Sequence, residues 1–226
     1  MSPELTKLKS RLATIAVIFL AYCLLFSFAN FSIAKGWLWS IWNLFLAFLP
    51  LIFSSLIIFF ARTKHPHHKF SIILLAIFWL LFLPNSFYFL TDLMWLATFP
   101  AAPHFQPSDF VTISPWLTVT LLALAEFLAL FAGLVSLSDI HRLLAKKLSL
   151  AKTWLILIAI FSLCGFAIYL GRFLRLNSWD IILPWRIFAQ LLANFDLFAL
   201  QFSMLLAAAV ALIYFAFYLF RHKFRD

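Results

Sequence analysis

Long runs of apolar residues alternate with short polar segments along the whole chain. The apolar runs cover residues 12–34, 38–61, 70–97, 116–138, 153–175 and 196–220. Each run is long enough to cross ~30 Å of hydrocarbon as a helix. In lipid only helices and closed barrels satisfy all backbone polar groups, and continuous rather than alternating apolar runs favour helices. The pattern predicts an all-α bundle of six transmembrane spans that forms a single transmembrane domain over residues 1–226.

A shorter segment at residues 184–195 has a different pattern. Arg186, Gln190 and Asn194 recur every four positions on an otherwise apolar stretch. On a helix this spacing gives one polar stripe, which is typical of an element lying in the membrane interface. We expect one short interfacial helix on the outer side of the membrane.

Composition excludes a soluble domain. Hydrophobic residues make up 65% of the chain and charged residues 11%, with a mean hydropathy of +1.04. The net charge of +9 would suggest nucleic acid binding in a soluble protein, but here the basic residues lie between apolar spans. Their simplest role is to orient the chain and to contact anionic lipid. We therefore expect the lipid bilayer, and no nucleic acid, as a partner.

The distribution of basic residues predicts the orientation. One side of the predicted bundle carries thirteen of the 17 Lys and Arg residues, and the other carries only Lys35, Arg172, Arg175 and Arg186. Because basic residues concentrate on the cytoplasmic side, both termini are placed in the cytoplasm.

Polar residues from three separate spans are predicted to meet near the outer surface. At ~1.5 Å per residue from the helix ends, Asn43, Asn85 and Tyr169 lie ~5 to 10 Å below that surface, and Asp92 and Arg172 lie just above them. Residues spaced three or four apart share a helix face. The inference is one polar pocket that opens outwards. Its candidate ligand-binding residues are Asn43, Asn85, Tyr88, Asp92, Tyr169, Arg172, Arg175, Asn177 and Asp180.

Three interpretations of these charges stay open. Ionisable groups in a bilayer are costly, so they are usually paired or functional. Asp92 and Arg172 could pair to lock two helices together. Alternatively, Arg172 and Arg175 bind an anionic ligand, since guanidinium donors match phosphate and carboxylate oxygens. The third interpretation is snorkelling arginines that have no protein partner.

Three further features bear on possible proton transfer, metal binding and helix geometry. Glu126 lies near the midplane of the fourth span, as a weak candidate for a proton relay or as a neutral hydrogen-bonding group. His65, His67 and His68 form a basic cluster without a second ligand set, so we predict no metal and no cofactor. Pro84 frees the carbonyl of Leu80 in the third span, which predicts a tilt or kink and a role for Asn85 in satisfying exposed backbone.

Three segments together resemble a known family. They are residues 42–47, residues 83–88 with 90–93, and residues 169–180, of which the last carries the most specific run, Gly171, Arg172, Phe173, Leu174, Arg175, Asn177, Ser178, Trp179 and Asp180. The chain resembles, over residues 37–200, the bacterial integral-membrane family catalogued as domain of unknown function 1361. Where that family has Pro-Asn-Ala-Pro-Tyr, residue 87 here is Phe, so we expect a milder kink. The resemblance implies a multi-span bacterial membrane protein and supplies no activity. Together with the predicted orientation, it implies a location in the bacterial cytoplasmic (inner) membrane.

Three functions are compatible with these features. The first is binding or transport of an anionic solute or lipid headgroup in the outward pocket. The second is a membrane enzyme acting on a lipid or cell-envelope precursor, with Asp92 as general acid or base. The third is an accessory or assembly subunit. Because six spans are few for a transporter, transport is expected to need a homodimer or a simple carrier design. The accessory role implies a membrane partner protein.

Overall fold

All the described elements are helical. The computed structural model describes residues 2–30, 38–63, 68–92, 111 and 113–223. The helices are α1 (Pro3–Asn30), α2 (Leu38–Arg62), α3 (His68–Tyr88), α4 (Ile113–Ala145), α5 (Leu150–Phe173), α6 (Pro184–Asn194) and α7 (Leu197–Lys223), with short 3-10 turns at Phe89–Thr91 and Ser178–Ile182. This confirms the all-α prediction. Lys35, His65, His67, Arg225 and most of the outer loop lie outside the described residues.

Six of these helices are long and apolar enough to cross a membrane. Large apolar side chains project from their outer faces: Phe127, Phe131, Leu155 and Leu212 are each more than 60% exposed. Only lipid covers such side chains at mid-helix, because water would make their exposure very unfavourable. The protein is therefore a multi-pass membrane protein.

The short helix α6 confirms the expected extra element. Its Trp185, Phe188 and Leu192 are all more than 60% exposed, and their spacing of three and four places them on one face. Asn194, at the end of the helix, donates to the carbonyl of Gln190 at 2.8 Å. An exposed apolar face on a short helix is what an interfacial location requires.

The bundle has two apolar cores that meet on α4. One core joins α1 and α2 to α4, with Tyr22, Leu44 and Ala125 completely or almost completely buried. The other joins α3, α5 and α7 and includes Leu157 and Val210, both fully buried. Within these cores α2 packs most closely against α3 and α4, and α5 packs against α7.

Small residues set the closest helix contacts. A Cβ added at Gly165 of α5 would lie 2.7 Å from the backbone nitrogen of Ala207 in α7. A Cβ at Gly133 of α4 would lie 2.7 Å from the Cβ of Ser86 in α3. Since apolar side chains gain little from leaving lipid, close backbone packing of this kind is a main source of helix association in membranes.

Buried side-chain hydrogen bonds also tie α2, α3 and α4 together. The indole of Trp79 donates to the hydroxyl of Ser136 at 2.6 Å, and that hydroxyl donates to the carbonyl of Pro50 at 2.9 Å. Ser86 donates to the carbonyl of Ala47 at 2.7 Å. These bonds fix the rotation of three helices, and therefore decide which side chains face the site described next.

Candidate functional site

The ends of α3 and α5 are joined by an ion pair. Arg172 Nη1 donates to Asp92 Oδ1 at 2.9 Å, and Nη2 donates to the carbonyl of Thr91 at 2.9 Å. The Arg172 side chain is 10% exposed and that of Asp92 is 2% exposed. The guanidinium also lies over the ring of Tyr88, 5.7 Å from its centroid. Arg172 is thus held by three groups at the end of α3, which is the arrangement expected of a helix lock.

The chain turns sharply after α5, and it does so at Arg175. The backbone φ of Arg175 is 53°, in the left-handed region. Leu176 N–H then returns to the carbonyl of Leu170 at 3.2 Å, which satisfies a carbonyl at the helix end. This position usually takes glycine, because a Cβ in left-handed backbone costs ~1 to 2 kcal/mol. A strained arginine of this kind points to a functional role.

Ser178 connects this turn to the region of α3 around Pro84. Its hydroxyl donates to the carbonyl of Leu81 at 3.2 Å, and it accepts from Asn85 Nδ2 at 3.1 Å. Asn85 Nδ2 also lies 3.1 Å from the carbonyl of Phe82. The two side chains therefore donate hydrogen bonds to backbone carbonyls in the turn of α3 before Pro84. Asn85 bonds to the carbonyl of Phe82, whereas we had expected it to satisfy the carbonyl of Leu80 that Pro84 frees.

These elements enclose a cleft with a volume of about 360 Å³, here called the Arg175 cleft. Polar groups on its wall come from α2, α3 and the turn after α5, and Ile187 of α6 closes one side. The lining residues used below are Trp42, Asn43, Asn85, Tyr88, Arg175, Asn177 and Ser178. Five of the nine predicted site residues, Asn43, Asn85, Tyr88, Arg175 and Asn177, are on this list.

Two polar side chains of the Arg175 cleft make no bonds to the part of the protein that the structure describes. Among the residues that the structure describes, neither the guanidinium of Arg175 nor the amide of Asn43 has a hydrogen-bond partner or an ion pair. The Arg175 side chain is exposed and Asn43 is half-buried. Within the described part of the chain, no hydrogen bond of either group would have to be broken for a ligand to bind.

Four predicted site residues do not line the cleft. Asp92 and Arg172 form the ion pair between the ends of α3 and α5, and neither is on the cleft wall. Tyr169 turns towards the other side of α5, where its hydroxyl donates to the carbonyl of Asn194 at 2.9 Å. Asp180 accepts from the backbone nitrogen of Asn177 at 2.7 Å and so stabilises the turn. Asp92 is consequently badly placed to act as an acid or base on a molecule in the cleft.

Glu126, the candidate proton relay, lies half-buried about midway along α4. It is not part of the cleft wall. Within the described part of the chain, no group of three or more potential metal ligands is found. The described wall of the cleft combines a guanidinium, amides and a hydroxyl, which are groups suited to binding and orienting an anion.

Sequence reasoning missed Ser178, Trp42 and Gly171 as parts of this site. Ser178 connects the turn to α3, and Trp42 lines the cleft wall. A Cβ at Gly171 would lie 3.2 Å from Cε2 of Tyr88, so this glycine lets the ring approach α5. The available signal was the run at residues 171–180, which contains both Gly171 and Ser178.

The comparison with protein families agrees with the resemblance. A family model described as a protein of unknown function (DUF1361) matches residues 42–214. The chain belongs to this family. All nine predicted ligand-binding residues lie inside the matched range. No curated protein and no solved structure matches the chain.

Proposed function

We propose that this member of the DUF1361 family binds an anionic solute or lipid headgroup in the Arg175 cleft. In this proposal the protein resides in the bacterial cytoplasmic membrane with both termini in the cytoplasm, so that the cleft opens outwards. The basic residues support this orientation, since the end of the bundle opposite the cleft carries most of them.

The single observation that carries the proposal is the state of Arg175. Its guanidinium is on the cleft wall, makes no internal bond among the described residues, and stands on a backbone conformation that disfavours arginine. A conformational cost retained at the mouth of a cleft suggests a function for the side chain. The fork of donors on a guanidinium suits the paired oxygens of a phosphate or a carboxylate.

The remaining cleft residues support an amphipathic ligand. The amide of Asn43 supplies both donors and an acceptor, and Ser178 adds a hydroxyl. Trp42 and Tyr88 provide aromatic surface on the same wall. The volume of about 360 Å³ is within the range of small-molecule sites. We infer a ligand with one anionic group and a compact body, such as a phosphorylated or carboxylated small molecule, or the headgroup of a phospholipid.

In this proposal Arg172 positions the site and does not contact the ligand. Its three contacts at the end of α3 hold the last turn of α5 in place, and that turn leads directly to Arg175. The two arginines, three residues apart, thus have different roles.

The test uses Arg175→Gly, because glycine fits the left-handed backbone and the substitution removes the whole arginine side chain with its guanidinium. Binding of inorganic phosphate, glycerol 3-phosphate and succinate to the purified protein is measured by calorimetry. We expect at least one of these probes to bind the native protein, and we expect its affinity to fall roughly tenfold or more in Arg175→Gly, as for loss of one charge-assisted contact. Arg175→Lys should bind with intermediate affinity, since it keeps the charge and loses the fork.

The matched control is Lys147→Gln, which removes one exposed cation from the opposite end of the bundle. This variant should keep the affinity of the native protein for the probe. Equal affinity in the native protein and in Arg175→Gly would overturn the proposal. If Arg175→Gly binds normally and the protein instead co-purifies with a membrane partner through this surface, the accessory-subunit role is favoured.

A further inference from the structure

A second charged cavity lies at the opposite end of the bundle. It has a volume of about 200 Å³ and is here called the Glu4 cleft. Its charged lining residues come from α1, α2 and α4 and are Glu4, Lys7, Arg11, Arg62 and Arg142. This inference is independent of the Arg175 cleft, which shares no residue with it.

Cations outnumber carboxylates in and around the Glu4 cleft. Glu4 is shared by Lys7 at 3.4 Å and by Arg62 at 3.0 Å. Asp139 is shared by Arg11 and Arg142, the latter at 2.6 Å. Each carboxylate therefore pairs with two cations, so the four cations and two carboxylates together carry a net positive charge. An oxygen-rich anion would complete the pairing without breaking these bonds.

Asp139 keeps the second pair of cations in place. Its side chain is 1% exposed, and it also accepts from the hydroxyl of Ser54 at 3.2 Å. A carboxylate buried to this extent with several donors is a fixed part of the structure. Arg11 on α1 is thereby held against α4 at the inner edge of the cleft.

An apolar groove begins at the same Arg11. This Arg11 groove has a volume of about 450 Å³ and runs between α1, α2 and α4. Apart from Arg11 and Thr14, its wall is apolar and includes Ile18, Phe48, Phe127, Phe131 and Val135. Ile18 is seven residues beyond Arg11, so the groove extends ~10 Å along α1 away from the charged end.

We propose that the Glu4 cleft and the Arg11 groove together bind one anionic phospholipid of the adjoining leaflet. The phosphate contacts Lys7, Arg11 and Arg62, and an acyl chain lies in the groove. Basic pockets between transmembrane helices are a recurrent site for anionic headgroups. The groove favours a lipid over a free phosphate ion. An acyl chain can lie in an apolar groove that continues from the cations, whereas a free ion gains nothing from apolar surface.

The first test measures the lipid retained by the protein after delipidation, by native mass spectrometry, with phosphatidylglycerol or phosphatidylcholine added back. We expect one phosphatidylglycerol per protein and little phosphatidylcholine. Lys7→Gln with Arg62→Gln should lower phosphatidylglycerol retention by roughly fivefold for each cation removed. Lys147→Gln with Lys152→Gln, which removes the same charge from exposed positions between α4 and α5 and in the first turn of α5, should not.

Glu4→Gln separates binding from a loss of structure. This variant removes a carboxylate and releases Lys7 and Arg62, so phosphatidylglycerol retention should rise. A fold weakened by loss of the Glu4 ion pairs would instead retain less lipid, and such a decrease would overturn the proposal.

The second test fills the groove without changing charge. Ile18→Trp should reduce phosphatidylglycerol retention, whereas Leu20→Trp, on the lipid-facing side of the same helix, should leave it unchanged. In the Arg175→Gly variant, whose Arg175 cleft has lost its cation, inorganic phosphate alone should not raise the unfolding temperature. Stabilisation by phosphate equal to that by phosphatidylglycerol, together with an unaffected Ile18→Trp, would show a free-anion site and rule out the lipid.

Discussion

Arg172 on α5 and Asp92 at the end of α3 form an ion pair of 2.9 Å between residues 80 positions apart in the chain. The pair is almost completely buried and is reinforced by the carbonyl of Thr91 and the ring of Tyr88. It holds together the two helix ends that lead into the Arg175 cleft. The relationship explains why charged residues are retained at this depth although burial of each one alone would be costly.

Loss of one member of this pair should destabilise the protein strongly. Asp92→Asn leaves the Arg172 charge buried without its counter-ion, and we expect the free energy of unfolding to fall by ~3 kcal/mol. Unfolding in mixed micelles measures this change. The double variant Asp92→Asn with Arg172→Gln should lose less than the two single variants added together, because no lone charge stays buried. Simple additivity would mean that the pair contributes no coupling.

Arg175→Gly should not destabilise the protein. Glycine relieves the ~1 to 2 kcal/mol cost of the left-handed backbone, and the greater freedom of the unfolded chain offsets ~1 kcal/mol of that gain. The unfolding temperature should therefore be unchanged or slightly higher, while Arg175→Ala should show no gain. A marked decrease in Arg175→Gly would mean that the guanidinium stabilises the fold, which would remove the main support for its role in binding.

The contact between α5 and α7 should be intolerant of added volume. Gly165→Ala places a methyl group against the backbone of Ala207, and separation of the helices should cost ~1 to 3 kcal/mol. The same unfolding assay applies. Ser162→Ala, an exposed position on the same helix whose hydroxyl bonds to the carbonyl of Ile158, should be nearly neutral. Equal stability of the two variants would show that α5 and α7 can separate freely.

Reporter insertions can test the predicted orientation. Alkaline phosphatase inserted after Asn177 should be active, because that turn is predicted to lie outside the cytoplasm. The same enzyme inserted after Leu148, between α4 and α5, should be inactive, whereas green fluorescent protein at that position should fluoresce. The reverse pattern would place the Arg175 cleft on the cytoplasmic side.

Counting residues along the helices located part of the site. It predicted that Asn43, Asn85, Asp92 and Arg172, from three separate spans, lie at one end of the bundle. In the structure Arg172 contacts Asp92, and Asn43 and Asn85 both line the Arg175 cleft. It could not show that Tyr169 faces α7. Residues three apart on a helix differ by ~60° in direction. Because α5 lies between α3 and α7, that angle is enough to separate Tyr169 from Arg172.

The Glu4 cleft was not predicted from the sequence for a similar reason. Arg62 contacts Glu4 across 58 residues, and Arg11 contacts Asp139 across 128 residues. Each of these residues, taken alone, resembles an ordinary charge at the end of a span. Their convergence depends on which helices are neighbours, which the apolar pattern does not specify.

The sequence by itself determined the membrane class, the six spans, the short helix at residues 184–195 and the level at which polar residues collect. These properties follow from the length of apolar runs and the rise of a helix, which are local. The tertiary structure decided that Arg172 pairs with Asp92, that Arg175 lies on a cleft wall without a bond to the other described residues, and that an apolar groove meets a basic cleft at Arg11. Such distinctions depend on helix rotation and neighbour choice, which are set by close packing at Gly133 and Gly165 and by buried hydrogen bonds between distant residues.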